Sequence, residues 1–509
     1  MILATPSQKA ITRMFETIAE NLFRILRYNP QEPLLFNSAL FLFLYLGVMI
    51  VYGLLRRKGT ARILFITGFS YYFYYKSSEL YFFILIFISL SDFMIGHFIP
   101  LARTRAGKRW LVITSLVIDL GILFYFKYTN FFFQTVADLF GKPFDPFDII
   151  LPVGISFFVF QSISYIVDIY RGRVAPLRSW FDYNFYLSFF PQLVAGPIVR
   201  ARDFLPQIRQ KPYVSKEMFG RAIFLIVSGL FKKAIISDYI SINFVDRIFD
   251  NPHLYSGIEN LAGIYGYTLQ IYCDFSGYSD MAIGLALLMG FHFNLNFDAP
   301  YKSATITEFW RRWHISLSSW LKDYLYISLG GNRKGKIRTY LNLMITMTLG
   351  GLWHGASLRF VLWGILHGIS LAVHKVILTF APRLSKKSGR EMKPWRRVFA
   401  ILFTFHLVCI GWVFFRADSA ETSFAIFRQV FTSFHPELLA GMVSGYRWVF
   451  ILMAVGYFVH FLPARADAFF RDQITKAGYL GQAVLLVVVI WVVIQFKSSE
   501  VVPFIYFQF

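Results

Sequence analysis

Apolar runs of about twenty residues, the length a helix needs to cross a bilayer core, alternate along this chain with short polar segments. The first covers residues 34–55 and stops at Arg56-Arg57-Lys58. Residues 63–75 and 80–99 predict a helical hairpin turning at Lys76–Glu79, with a second basic stop at 103–109. Residues 110–133 lead to an acidic, Pro-bearing turn at 141–148, and 149–170 return to Arg171, Arg173 and Arg178. Further spans are predicted at 219–240, 261–291, 398–415, 448–462 and 479–496, with a last apolar pair between about 340 and 380. The pattern is that of an all-α polytopic membrane protein.

Two stretches break the rhythm. In residues 1–33, Ile11, Phe15, Ile18, Leu22 and Ile25 alternate with charges, which predicts an amphipathic interfacial helix rather than a cleavable signal. Between 181 and 216, Pro191, Pro197, Pro206 and Gly196 interrupt an apolar segment too short to span cleanly. A re-entrant element held within protein is expected there.

Composition agrees. With 56% hydrophobic, 19% aromatic and 16% charged residues, an ordinary soluble domain is excluded. The net charge of +22 is carried by short Lys/Arg segments between apolar runs, the positive-inside pattern, and anionic lipid headgroups account for it. No discrete basic domain exists, so nucleic acid is not an expected partner. The basic segments, including seven Lys or Arg between 383 and 397, fall on the cytoplasmic side if both chain ends lie outside. A single membrane domain over 34–509 follows, with a core motif region at 261–380 and an aromatic tail at 498–509. Cys273 and Cys409 offer neither a disulfide framework nor a zinc spacing.

The chemistry concentrates between 305 and 368. On a helix beginning near Ile306, Arg311, His314, Ser318 and Lys322 share one face, with Trp310, Trp313, Leu317, Trp320 and Tyr324 opposite. His354 closes an apolar run between Gly350-Gly351 and Gly355. An ionisable group at that depth is a functional candidate, and a neutral imidazole in apolar surroundings is a usable general base. The plainer alternative is a buried histidine bonding backbone freed by the glycines. For His314 the plainer alternative is a polar interfacial face shared with Arg311 and Arg312; together the two histidines suit an acid/base pair.

Asp274 and Asp280 within an apolar helix either pair with Lys or Arg or form a proton path. The second possibility supports an alternative, a transporter of acyl groups or solutes using an Asp/His relay. His354, His367 and His374 are spaced by 13 and 7 without accompanying Cys, Asp or Glu, so no metal site is expected. No GxSxG, phosphate-binding loop or dinucleotide fingerprint occurs.

Several of these segments carry a resemblance. CDFSGYSDMAIG (273–284), APYKSATITEFWRRWHISLSSWLKDYLYISLGGNR (299–333), LGGLWHG (349–355) and GWVFFRA (411–417) resemble the membrane-bound O-acyltransferases (MBOAT), in particular the AlgI-like branch that serves alginate O-acetylation. LPVGISFFVFQSISYIVDIYRG (151–172) and FFPQLVAGPIVR (189–200) fit the same branch. The resemblance implies a ring of roughly eleven transmembrane helices, with re-entrant and interfacial helices, around a central funnel. It implies O-acyl transfer, expected to be acetyl transfer, from a cytoplasmic thioester to a hydroxyl of a secreted or cell-surface polysaccharide. It maps the family's principal histidine onto His354 and its second onto His314.

Trp310, Arg311, Trp313, Ser318, Trp353, Asp274 and Asp280 are the candidates for lining the donor passage. Acetyl-CoA or another acyl thioester is the expected donor substrate, with no permanently bound cofactor. An extracytoplasmic acyltransferase partner, membrane lipids and a bacterial inner-membrane location are the further expectations. The tail FIYFQF (504–509) resembles the aromatic carboxyl-terminal motif of a small partner in D-alanyl teichoic acid transfer. By that resemblance Tyr506 is an acyl relay candidate; its plainer role is an aromatic belt anchor.

Overall fold

The computed structural model describes residues 20–21, 24–380, 393–496 and 504–505. Every regular element among them is helical. In chain order the principal helices are α1 (Ala39–Leu55), α2 (Gly59–Ser78), α3 (Phe82–Leu101), α4 (Arg105–Leu139), α5 (Ile155–Tyr170) and α6 (Trp180–Ser188). There follow α7 (Lys216–Leu230), α8 (Gly257–Leu288), α9 (Ile306–Arg312), α10 (Ile315–Trp320), α11 (Lys336–His354) and α12 (Leu358–Phe380). The last are α13 (Pro394–Arg416), α14 (Ala420–Thr432), α15 (Arg447–Phe461), α16 (Ala464–Lys476) and α17 (Gly478–Phe496). Most of residues 1–33 and of the 498–509 tail, Tyr506 included, lie outside the described residues.

The outer helices turn large apolar side chains outward. Phe43, Leu54, Trp110, Phe403 and Leu480 are each more than half exposed. Water would penalise such a surface and hydrocarbon would not. Among the described residues, five helical stretches are long and apolar enough to cross a membrane, or six if a pair bent by 94° between Pro436 and Phe461 counts as one. α8 falls outside this set because it is wrapped by protein rather than lipid: nearly every side chain along it is buried, including Gln270, Asp274, Ser276 and Ser279.

The Pro-broken segment folds into α6 and two shorter helices, Phe190–Leu193 and Ala201–Ile208, and most of it is buried in the protein. The turn expected at Lys76–Glu79 falls at Glu79–Tyr81, where Glu79 adopts a positive φ of 48°. Two features depart from the expected plain spans. α7 runs on through π-helical turns at Phe231–Ser237 and Ser241–Val245, which widen the helix where Lys232 and Lys233 must reach carboxylates on α8. α14 and α16 are additional short helices in stretches where no span is predicted.

The stretch after Ile306 requires a correction. A single helix does not run through 306–324: α9 ends at Arg312, His314 takes a left-handed conformation (φ 42°, ψ 57°), and α10 starts afresh at Ile315. The shared face of Arg311, His314, Ser318 and Lys322 therefore does not exist. Arg311 and Lys322 are exposed, while His314 is completely buried.

α11 and α12 form the hairpin that carries His354. Their backbones approach so closely that a Cβ on Gly351 would run into the Phe360 carbonyl, and one on Gly364 into that of Met347. Small residues at such a crossing are the usual device for packing helices in lipid.

Candidate active site

α11 begins beside Arg333 and Lys334, and α12 ends next to the basic 383–397 segment. That end of the hairpin is therefore the basic one. Nineteen helical residues carry the chain about 28 Å, close to the thickness of a bilayer core, before His354. His354 thus sits at the far end from the charges. Its backbone is held there from α4: Lys127 Nζ donates to the Trp353 and His354 carbonyls at 2.6 and 3.0 Å, and Tyr128 Oη donates to the Leu352 carbonyl at 2.9 Å. Gly355 can follow because it has no side chain; a Cβ would strike the ring of Phe360.

The imidazole of His354 is 3% exposed and stands edge-on in an aromatic box. Trp353, Trp363 and Phe415 have ring centroids 5.0, 5.0 and 5.1 Å away. Trp353 also reaches His314, at 6.2 Å, so one indole lies between the two histidines. A buried, apolar setting of this kind excludes water and strengthens any hydrogen bond formed within it.

His314 owes its position to Asn296, a residue carrying no distinguishing signal in the sequence. The Ile315 amide donates to the Asn296 carbonyl at 2.9 Å, which draws the chain out of helical geometry at His314. The Asn296 side-chain oxygen accepts from the Ser316 amide at 3.2 Å and lies 3.2 Å from His314 Nδ1. An amide nitrogen can only donate, so the atom facing it must be the oxygen. His314 Nδ1 therefore carries the hydrogen, and in the neutral ring Nε2 keeps the lone pair. No hydrogen-bond partner for Nε2 occurs among the described residues.

A cavity of 570 Å³ lies toward the basic end, lined among others by Trp310, Arg311, Ser318, Lys322, Met347 and Lys375. Three of the sequence candidates, Trp310, Arg311 and Ser318, thus share one wall. Neither histidine lines it. Trp310 connects the two regions: its ring is 5.6 Å from Trp363 and 5.2 Å from His367, and Trp363 touches His354. Met347 and His354 are seven residues apart on α11, about 10 Å along its axis. Trp313 is buried against Phe297 and Trp412, at 5.0 and 4.8 Å, away from the cavity wall.

The two aspartates have the plainer of their possible roles. Asp274 pairs with Lys233 at 2.6 Å and Asp280 with Lys232 at 2.5 Å. A proton relay loses its free carboxylates. The second oxygen of Asp274 accepts the Ile505 amide at 2.9 Å. Phe504 packs on Phe275, at 5.5 Å, and Phe275 on His314, at 4.6 Å. The last described residues of the chain thus reach the neighbourhood of the second histidine.

A profile of the MBOAT, membrane-bound O-acyltransferase family, matches residues 177–414. The chain is 41% identical over 409 residues to the Probable alginate O-acetylase AlgI of Pseudomonas aeruginosa, covering 78% of this chain and 75% of that protein. It is 36% identical over 508 residues to the protein of the same name from Pseudomonas putida, covering 94% and 100%. Against the Peptidoglycan O-acetyltransferase of Helicobacter pylori it is 36% identical over 425 residues, covering 78% and 79%. Both histidines and the cavity wall fall within the matched region, and the chain belongs to the membrane-bound O-acyltransferase family and is an acyltransferase.

Proposed function

We propose that this protein moves an acetyl group from a cytoplasmic thioester, across the bacterial inner membrane, toward a hydroxyl of a secreted or cell-surface polysaccharide. The observation that carries this reading lies on α11. A cavity with a cationic rim opens at its basic end, and a buried histidine sits about 10 Å further along the same helix toward the opposite face. Arg311, Lys322 and Lys375 suit the phosphates of acetyl-CoA, while Trp310, Leu321 and Met347 suit its uncharged arm.

His354 is the general base. As the acceptor oxygen attacks the thioester carbonyl, its proton passes to the imidazole; the new C–O bond forms, the C–S bond breaks, and thiolate leaves. A thiol with a pKa near 8.5 needs little help in leaving. His314 offers the Nε2 lone pair beyond Trp353 and positions the donor. Widening of the Trp310–Trp363 contact joins the cavity to His354. The wider architecture in this reading is a ring of roughly eleven helices around a funnel.

Tyr506 follows Ile505, whose amide rests on Asp274. In this reading Tyr506 accepts the acetyl group as a phenolic ester and passes it to an extracytoplasmic acyltransferase that holds the polymer. Relatives named for alginate and peptidoglycan acetylation support a polysaccharide acceptor.

The test is purified protein with radiolabelled acetyl-CoA. Release of CoA with transfer of label, lost in His354→Ala protein of unchanged melting temperature, supports the assignment. Undiminished release in His354→Ala sinks it. Tyr506→Phe should leave CoA release measurable while abolishing polymer acetylation in cells.

A further inference from the structure

Lys127 has no place in the chemistry above, yet it is a lysine in the interior of a membrane helix. About 33 Å of α4 separate it from the basic residues at Arg105, so it lies near the same face as His354. Such a position is costly and is kept only where the ammonium finds partners. No carboxylate pairs with Lys127 among the described residues. Its three hydrogens instead meet the Trp353 carbonyl at 2.6 Å, the His354 carbonyl at 3.0 Å and Ser156 Oγ at 3.5 Å.

These partners are particular. The carbonyls at a helix end have no partner within the helix and carry its partial negative charge. Tyr128 takes the Leu352 carbonyl and Lys127 takes the next two, so two consecutive residues of α4 cap three consecutive carbonyls of α11. Trp353, whose indole separates His314 from His354, is gripped twice. Its own N–H points at the Ser156 carbonyl, 3.4 Å away, and the Lys127 ammonium stands 6.0 Å from its ring centre. Hydroxyls alone could cap a helix; an ammonium adds a charge that three helices, α4, α5 and α11, must converge to satisfy.

We propose that Lys127 is a positioning residue for acyl transfer, fixing the direction of the Trp353 and His354 side chains by locking their carbonyls. The proposal rests on the assignment of His354 as general base. A base displaced by an ångström loses of the order of a hundredfold in rate, whereas donor binding in the distant cavity is untouched. The defect therefore belongs in kcat and not in the KM for acetyl-CoA.

The experiment uses full-length protein in lipid nanodiscs, with acetyl-CoA as the probe and CoA release as the signal. Lys127→Met should lower kcat by roughly 10- to 100-fold with KM within about twofold, and Lys127→Arg should recover most of the loss. Tyr128→Phe, which removes one bond and no charge, should lower kcat by about two- to fivefold at unchanged melting temperature. If Lys127→Met does not fold, Tyr128→Phe decides, and wild-type kcat in that variant overturns the proposal. Wild-type kcat in folded Lys127→Met, or a change confined to KM, overturns it too. His354→Ala is run alongside: if it stays active, the general-base assignment has failed, whereas an inactive His354→Ala beside a normal Lys127→Met means that the positioning role alone has failed.

Discussion

The side-chain oxygen of Asn296 lies 3.2 Å from Nδ1 of His314 and accepts the Ser316 amide at the same distance. One amide group thereby decides which nitrogen of a buried imidazole holds the hydrogen. It also closes the backbone turn that carries the ring. Replacing it with leucine leaves a ring N–H, the Ser316 amide and hydroxyl, and the Ser279 hydroxyl, which accepts from Asn296 Nδ2 at 3.0 Å, without their partner. Each orphaned group costs about 1–3 kcal/mol. Asn296→Leu should therefore lower the melting temperature sharply, and Asn296→Asp, which still accepts from both groups, should retain more CoA release than Asn296→Leu at matched folded concentration.

The cationic rim of the cavity leads to a different expectation. Arg311→Ala combined with Lys322→Ala should raise the KM for acetyl-CoA by about tenfold and leave kcat nearly unchanged, since exposed charges contribute to binding rather than to the chemical step. Raising salt should weaken binding in the wild type and scarcely alter it in the variant. A kcat defect with normal KM would place the donor elsewhere.

Trp310 separates the cavity from Trp363 and His367. Trp310→Ala removes that wall. Butyryl-CoA should gain on acetyl-CoA in kcat/KM by about tenfold, the discrimination a few methylenes command in an apolar pocket. An unchanged preference among acyl chains would show that Trp310 does not bound the acyl group.

The paired aspartates permit a test through stability alone. Lys232 and Asp280 are mostly buried, so removing one member leaves the other charge uncompensated and destabilises, whereas removing both is often close to neutral. Asp280→Asn should destabilise the protein, and Asp280→Asn with Lys232→Met should recover most of the loss in thermal melts. Turnover per folded molecule should follow wild type in the double variant; a lost turnover there would revive the relay role.

The helical membrane class, the principal spans and the broken segment near Pro191 and Pro197 are legible in the sequence, because lipid-facing runs and prolines act locally. The pairing of Asp274 and Asp280 is legible as one of two options for the same reason that it exists, the cost of a lone charge in an apolar helix. The turn at His314 is not legible. FWRRWHISLSSW reads as a continuous helix, and what breaks it is a hydrogen bond from Ile315 to Asn296, outside any local window. The number of bilayer crossings is obscured similarly: α8 is embedded in protein, so it carries polar groups that a lipid-facing helix of equal length could not. Lys127 gives no warning of its partners either, since the carbonyls it caps lie more than two hundred residues away.

Asp274 answers to two masters, an ammonium on one oxygen and the Ile505 amide on the other. Neutralising Lys233 would free that carboxylate to swing, and the Ile505 amide would lose its acceptor. Hydrogen exchange at the Ile505 amide thereby becomes an external gauge of a charge hidden in the middle of the protein.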